Sequence, residues 1–185
     1  KWFNENRVKI KVISGDNPIT VAEVSKRVNI PDCDKYISLE GKTDEEVKAL
    51  ANEYTVFGRV SPEQKAILIK AIKEAGHVTA MTGDGVNDLL ALKEADCAIT
   101  VASGSDAARK VSHLVLLDNN FNSMPQIVYE GRRVINNVQS SASLFLMKTL
   151  FNIFLAIIMF FIPHITSYPF ELSQMIMLEV FVIGL

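Results

Sequence analysis

Apolar residues are distributed along this chain in two different ways. Up to about residue 125, short apolar runs alternate with polar segments of helical length, and beyond it apolar residues become nearly continuous. The run over residues 8–13 ends at Ser14-Gly15-Asp16 and predicts a strand entering a loop. Pro18 then opens a helix to about Val28, because a proline in the first turn loses no intrahelical hydrogen bond. Ser61-Pro62-Glu63 opens a second helix to about Ala75, with Ser61 as N-cap and Gly76 as its stop. Residues 77–81 predict a strand, 88–95 a short helix, 98–101 a strand, 106–111 a helix and 114–117 a last strand. Strands alternating with helices predict an α/β fold with a parallel sheet covered on both faces.

A long helix is predicted from Met124. It is polar at first, through Gly131-Arg132-Arg133 and Asn136-Asn137, and apolar over 144–162 apart from Lys148, Thr149 and Asn152. At about 1.5 Å per residue that stretch crosses most of a hydrocarbon core of about 30 Å. The competing reading is a buried core helix of a soluble domain, which Lys148 and Asn152 favour. The almost unbroken aliphatic and aromatic run over 150–162 favours the membrane. The organisation expected is therefore a domain over 1–123, a polar helix segment over 124–143, a membrane span over 144–162, a short exit loop over 163–171 and the start of another span over 172–185. Arg132 and Arg133 put residues 1 to about 140 in the cytoplasm by the positive-inside bias.

Composition narrows the function classes. The net charge is −2, with 19 basic residues spread along 185 positions, so there is no basic stripe for nucleic acid. Cys33 and Cys97 stand far apart and form no CxxC, which argues against a disulfide framework or a zinc site and fits a reducing compartment. The chain opens at Lys1 without an initiator Met and stops at Leu185 inside an apolar run, from which an internal piece of a longer protein is expected.

The chemistry is concentrated at predicted strand ends, where open α/β sheets bind their ligands. Thr82-Gly83-Asp84-Gly85-Val86-Asn87-Asp88 follows one strand directly. Its glycines allow a tight turn, and Asp84, Asn87 and Asp88 are hard-oxygen groups suited to Mg²⁺, which takes carboxylates, waters and a substrate phosphate. A plain helix N-terminus also favours Asp, and accounts for Asp88 taken alone. Ser14-Gly15-Asp16-Asn17 offers a hydroxyl and freed amides as a phosphate cradle, although such turns are common N-caps. In the segment running from Phe57 through Gly58-Arg59-Val60-Ser61-Pro62 to Lys65, the lysine falls in a first helical turn. The helix dipole disfavours a cation there, and a phosphate-facing role would explain the placement better than simple solvent exposure. An aspartyl-phosphate mechanism also needs a nucleophilic carboxylate in an Asp-x-Asp or Asp-Lys-Thr-Gly setting. The sole Asp-x-Asp, Asp32-Cys33-Asp34, follows Pro31 without a preceding apolar strand and reads as loop.

Taken in order, these three segments resemble the P-type ATPases of the haloacid dehalogenase superfamily. The Thr82–Asp88 heptad is a highly specific signature, and Ser14 keeps the hydroxyl where many of these pumps have threonine. The similarity continues through Asp96-Cys97-Ala98-Ile99, Leu116-Leu117-Asp118-Asn119 and Gly131-Arg132-Arg133 to Asn137. It implies a haloacid dehalogenase-like (Rossmannoid) sheet followed by a stalk and transmembrane helix, the fifth of the pump, and part of the sixth. It further implies that Asp84 binds Mg²⁺, that Asn87 and Asp88 order the site, that Lys65 contacts the phosphoryl group and that Ser14 with the Gly15 amide holds its oxygens. Asp16 and Arg59 would lie near the nucleotide and the hinge. ATP would be the substrate, and the phosphorylated aspartate, the nucleotide domain and the actuator would precede Lys1.

For the transported cation, Ca²⁺ or another divalent, the polar positions at membrane depth are Thr149, Asn152 and Glu179, with Lys148 as a built-in counter-charge or a snorkelling group. Compared with calcium pumps, Asn152 stands where a carboxylate is usual and Glu179 where an asparagine is, so the calcium assignment does not follow from the resemblance. The whole protein is expected to be a multi-pass pump of a bacterial cell membrane, in contact with lipid and not with nucleic acid. The 185 residues alone are expected to be inactive. Two other readings are a soluble haloacid dehalogenase-type phosphatase, which needs a nucleophilic Asp in its first strand and no span, and a membrane-anchored regulatory module binding Mg²⁺ or nucleotide.

Overall fold

The computed structural model describes residues 2–161, 170–178 and 180. It divides into two compact units, Lys1–Ser123 and Met124–Leu185, each considered by itself. In chain order the elements of the first are α1 (Trp2–Glu5), β1 (Val12–Ile13), α2 (Pro18–Arg27), β2 (Tyr36–Ser38), α3 (Asp44–Leu50), β3 (Val56–Gly58) and α4 (Pro62–Glu74). They continue with β4 (Ala80–Thr82), a 3₁₀ turn (Val86–Asp88), α5 (Leu89–Glu94), β5 (Cys97–Val101), α6 (Asp106–Val111) and β6 (Leu114–Leu116).

The strands form two three-stranded sheets, β1-β3-β2 and β4-β5-β6, in which every pairing is parallel. The sequence pattern predicts one sheet, and the structure splits it because β1 and β4 are each hydrogen-bonded on one side only. For the same reason the expected strand over 8–13 shortens to Val12–Ile13, whose ladder runs to Val56 and Phe57 alone. Four elements escape the sequence pattern: α1, β2, α3 and β3.

In β3, successive side chains point to opposite faces. Phe57 enters a core with Leu39, Val47, Ala51, Val60 and Leu68, under α3 and α4, while Val56 enters another with Val21, Ala22 and Cys33, under α2. The second sheet packs Met81 and Ala98 against Ile69 of α4, Leu92 of α5 and Ala108 of α6. Ile13 packs against both the Phe57 core and the Met81 core, which brings the open edges of the two sheets to one region of the unit. The starts of α2, α3, α4 and α6 are fixed locally by side-chain caps. Asn17 accepts from the Ile19 amide, Thr43 and Ser61 form capping boxes with Glu46 and Gln64, and Ser105 accepts from the Ala108 amide.

The second unit is dominated by α7 (Met124–Phe161), a helix of 38 residues, followed among the described residues by α8 (Leu172–Leu178). At 1.5 Å per residue α7 is about 57 Å long, roughly twice a hydrocarbon core. Within it lies a stretch long and apolar enough to cross a membrane, none of which is buried by protein. Ile162, most of the expected exit loop and Glu179 lie outside the described residues.

Candidate functional site

The first unit gathers its polar chemistry at the carboxyl ends of β1, β3 and β4. Lys65 is placed by the start of α4. Ser61 caps the helix, Pro62 fits its first turn, and Gln64 both closes the capping box and donates from its side-chain amide to the Leu39 and Lys42 carbonyls, at 3.0 and 3.3 Å. With the turn held in this way, Lys65 Nζ reaches Asp88 Oδ1 at 2.7 Å, and both side chains are largely enclosed, at 13% and 14% exposure. The attraction in a pair so shielded is less screened than at the surface, desolvation offsets that gain, and removing either partner leaves the other charge poorly solvated.

Asp88 has its own constraint. A Cβ on Gly83 would stand 2.6 Å from the Asp88 Cβ and 2.8 Å from its Cγ, so the carboxylate can occupy this position only over a bare glycine. The Gly83 amide donates to the Ile99 carbonyl at 3.1 Å, fixing the turn to β5. Asp84, the next residue, is exposed, and its carbonyl accepts the Ser105 amide at 2.8 Å. It lines a recess of about 220 Å³ together with Thr82, Gly83, Val101 and Phe121. Asp88 is committed to Lys65, which leaves Asp84 as the one carboxylate lining that recess. Asn87 is exposed beside it.

Two other loops are stitched together. The Arg59 amide donates to the Asp16 carbonyl at 2.8 Å, the Val60 amide to the Ser14 carbonyl at 3.1 Å, and the Ser14 amide to the Phe57 carbonyl at 2.9 Å. The Asp16 amide in turn donates to Ser14 Oγ at 3.2 Å, and that hydroxyl lies 3.3 Å from Asp16 Oδ2. Arg59 has φ +52°, a left-handed conformation uncommon outside glycine. A Cβ on Gly58 would stand 2.4–2.6 Å from Pro18 atoms, so the loop of β3 lies directly against the first turn of α2. Ser14, Gly15, Asp16 and Arg59 are therefore one connected surface, and Lys65, Asp88, Asn87 and Asp84 another. Thr149 and Asn152 lie on α7 in the other unit. There Thr149 Oγ1 donates back to the Phe145 carbonyl at 3.0 Å, and the enclosed Asn152 Oδ1 accepts no hydrogen bond.

Sequence reasoning missed the supports. Ser105, whose amide holds the Asp84 carbonyl, and Gly104, whose amide donates to the Val101 carbonyl, could have been suspected from a Ser-Gly-Ser run entering a helix. The Asp96 carboxylate accepts from the Thr79 amide at 2.8 Å and pairs with Lys73 at 3.2 Å, tying the segment before β4 to the end of α4. No local pattern announces it. These bonds, the amide first and then the ammonium, hold the Asp96 carboxyl below its ordinary range. Lys11, whose ammonium sits 5.6 Å from the Phe57 ring centroid, is pushed down from the usual lysine range, chiefly by burial and then by Lys9.

Among described residues no three His, Cys, Asp or Glu side chains converge as a metal cage. A single exposed carboxylate at a strand end still fits Mg²⁺, which keeps several waters and binds through one or two carboxylates plus phosphate.

The description haloacid dehalogenase-like hydrolase matches residues 1–96. A probable cation-transporting ATPase, exp7, of Streptococcus pneumoniae serotype 4 is 45% identical over 99% of this chain and 24% of its own length. The calcium-transporting ATPase CtpE of Mycobacterium bovis is 45% identical over 85% of the chain and 20% of its own length. The chain thus spans about a quarter or less of these relatives. Among solved structures, the catalytic domain of the CPx-ATPase CopB-B superposes with a TM-score of 0.54 at 27% identity, over 69% of this chain and 41% of that one. A zinc-transporting PIB-type ATPase in the E2.Pi state gives 0.55 at 23% identity, over 76% of this chain and 21% of that one, a likeness of fold. With the heptad at the end of β4 and the family match over its first half, the chain belongs to the haloacid dehalogenase-like hydrolases, among relatives that are P-type cation-transporting ATPases.

Proposed function

We propose that these residues form the rear part of the phosphorylation domain, and the membrane helix after it, of a pump that couples ATP hydrolysis to cation transport through an aspartyl-phosphate. The observation that carries this reading is the enclosed Lys65–Asp88 pair at 2.7 Å beside the Asp84 recess. A phosphoryl group with charge on its equatorial oxygens needs a fixed cation at such a position.

In this reading Lys65 neutralises the phosphoryl oxygens, and Asp88 keeps its ammonium in place. Ser14 Oγ and the Gly15 amide donate to the same oxygens, Asp16 and Arg59 border the nucleotide, and Asn87 orders the turn. Asp84, with waters and a phosphate oxygen, would hold Mg²⁺, which when bound offsets the charge of the transferring group. The nucleophile is a carboxylate from elsewhere in the whole protein. Its oxygen attacks the γ-phosphorus of ATP, the bond to the ADP oxygen breaks, and water later cleaves the acyl phosphate. The open edges of β1 and β4, both near Ile13, support a further parallel strand that carries this aspartate between them.

The second half of the reading rests on α7. Phe154, Phe160 and Phe161 are 62%, 83% and 74% exposed, an apolar display that water tolerates poorly and lipid accepts. With Arg132 and Arg133 toward the cytoplasm, the first unit is cytoplasmic and the whole protein is a multi-pass protein of a bacterial cell membrane. The cargo is a divalent cation, Ca²⁺ being the first to try because the CtpE relative is named for it. Thr149, Asn152 and Glu179 are the polar groups proposed along its path.

The test is acid-stable ³²P labelling of the full-length protein from [γ-³²P]ATP across candidate cations. Labelling that depends on one cation, and is lost in Asp84→Asn and Lys65→Met, is expected. Labelling that survives both substitutions, or never appears while small phosphate esters are hydrolysed, would replace the pump by a phosphatase.

A further inference from the structure

Gln64 spends its side chain on three main-chain partners. Its Oε1 accepts the Ser61 amide at 3.1 Å, and its Nε2 donates to the Leu39 and Lys42 carbonyls at 3.0 and 3.3 Å. Both amide hydrogens are thus committed to backbone 25 and 22 positions away. That backbone is itself well held. Leu39 is fully buried in the Phe57 core, and the Lys42 amide donates to its carbonyl at 3.2 Å across a turn in which Gly41 has φ +74°.

The Leu39 amide donates in turn to the Gly58 carbonyl, at 3.0 Å. Gly58 ends β3 between Phe57 and Arg59, whose main chain is bonded to Ser14 and Asp16. The segment from Gly58 to Gln64 is therefore closed into a ring through Leu39. One side of the ring carries the loop of Ser14 and Gly15. The other carries Lys65, whose ammonium lies 2.7 Å from the Asp88 carboxylate.

We propose that Gln64 is a positioning residue that acts through Lys65. By tying the first turn of α4 to the end of β3, it sets the spacing between the lysine on one side and Ser14 Oγ with the Gly15 amide on the other, so that both sides engage one phosphoryl group. Asp88 holds the ammonium at one end of a flexible stem, and Gln64 holds the backbone at the other. This rests on the reading of Lys65 and Ser14 as phosphoryl contacts.

The experiment is single-turnover phosphorylation of the full-length protein by [γ-³²P]ATP, with the cation that supports labelling, read as a rate constant, an amplitude and an ATP half-saturation. Loss of folded protein lowers the amplitude and leaves the rate constant of the remainder unchanged. A misplaced lysine slows the transfer itself. Gln64→Met removes the bridge without adding charge. Gln64→Glu keeps the length and the acceptor for the Ser61 amide, but has no hydrogens for the two carbonyls. Both should slow transfer about ten-fold, with the ATP half-saturation within about two-fold of wild type. Gln64→Ala, smaller and neutral, serves in place of Gln64→Met should that variant not fold.

An unchanged rate constant in Gln64→Met, whatever its amplitude or melting temperature, overturns the proposal and leaves Gln64 a structural cap. Slowing confined to Gln64→Glu also overturns it, because the added charge is then the cause. A wild type that does not label, or a Lys65→Met that labels at the wild-type rate, removes the phosphoryl reading and this inference with it. Slow transfer in Lys65→Met beside wild-type transfer in both Gln64 variants removes the inference alone.

Discussion

At the scale of single residues, the site depends on what is missing as much as on what is charged. Gly83 leaves room for Asp88, and Gly58 leaves room for Pro18. Alanine at 83 would meet the Asp88 Cβ at 2.6 Å and its carboxylate at 2.8–2.9 Å, and only a shift of the turn, which takes the carboxylate away from Lys65, relieves this. Gly83→Ala should therefore reduce ³²P labelling of the full-length protein by at least about ten-fold and also lower the melting temperature, since the turn must shift and the enclosed Lys65 loses its partner. Gly58→Ala should act on stability without touching the ion pair. Its obstacle is the Pro18 backbone, which cannot swing aside, so about 1–3 kcal/mol of stability should be lost, as read from denaturant melts. The heptad that contains Gly83 and Asp88 was legible in the sequence because its residue types and spacing are rare together. The ion pair itself was not, since Lys65 and Asp88 are 23 positions apart and meet only through the packing of α4 against α5.

At the scale of elements, legibility followed length and punctuation. The helix α4 announces itself by Ser61, Pro62 and Gly76, and the structure gives it a capping box and a Gly76 at φ +86°. The strands β2 and β3 have three residues each, too few for a period of two to stand out, and β3 is apolar on both faces because both are covered. The tie between Asp96, Thr79 and Lys73 joins elements that only the fold brings together. It also gives the domain an acid sensitivity. A carboxyl whose folded pKa is lowered contributes stability that is complete above its unfolded value, 3.8 for an ordinary aspartate, and is lost as pH falls through that value toward the folded one. Asp96→Asn should thus be less stable than wild type at neutral pH, with the difference shrinking below about pH 4, as equilibrium unfolding at several pH values would record. A constant difference down to pH 2 would assign the tie to packing rather than charge.

At the scale of the whole molecule, the two halves of the chain differ in how apolar residues are distributed, and this is legible in the sequence alone. The sheet was less so. One continuous sheet was expected, and two half-sheets with open edges at β1 and β4 are present. The strand proposed to lie between them would come from residues outside this chain and so is not legible in it. In the second unit, the apolar part of α7 should be inaccessible to water-soluble reagents in the membrane-inserted protein. Single cysteines at Gln139 and Phe154, in a full-length background without Cys33 and Cys97, should label readily at 139 and resist at 154 with a membrane-impermeant maleimide. Equal labelling at both positions would place α7 in water.

The length of α7 has a mechanical consequence. Its 38 residues run without an internal proline beyond Pro125, the second residue, and the helix is unbroken over about 57 Å. A rod of that length turned by about 10° at one end displaces the other by about 10 Å, close to the width of a helix. In the pump proposed above, a sub-ångström event at the phosphoryl group would need only to become a few degrees of rotation of this helix. The gear ratio would then be set by the number of residues in its polar part, and a deletion or insertion of whole turns near Asn136 would change the stroke while leaving the residues proposed at either end intact.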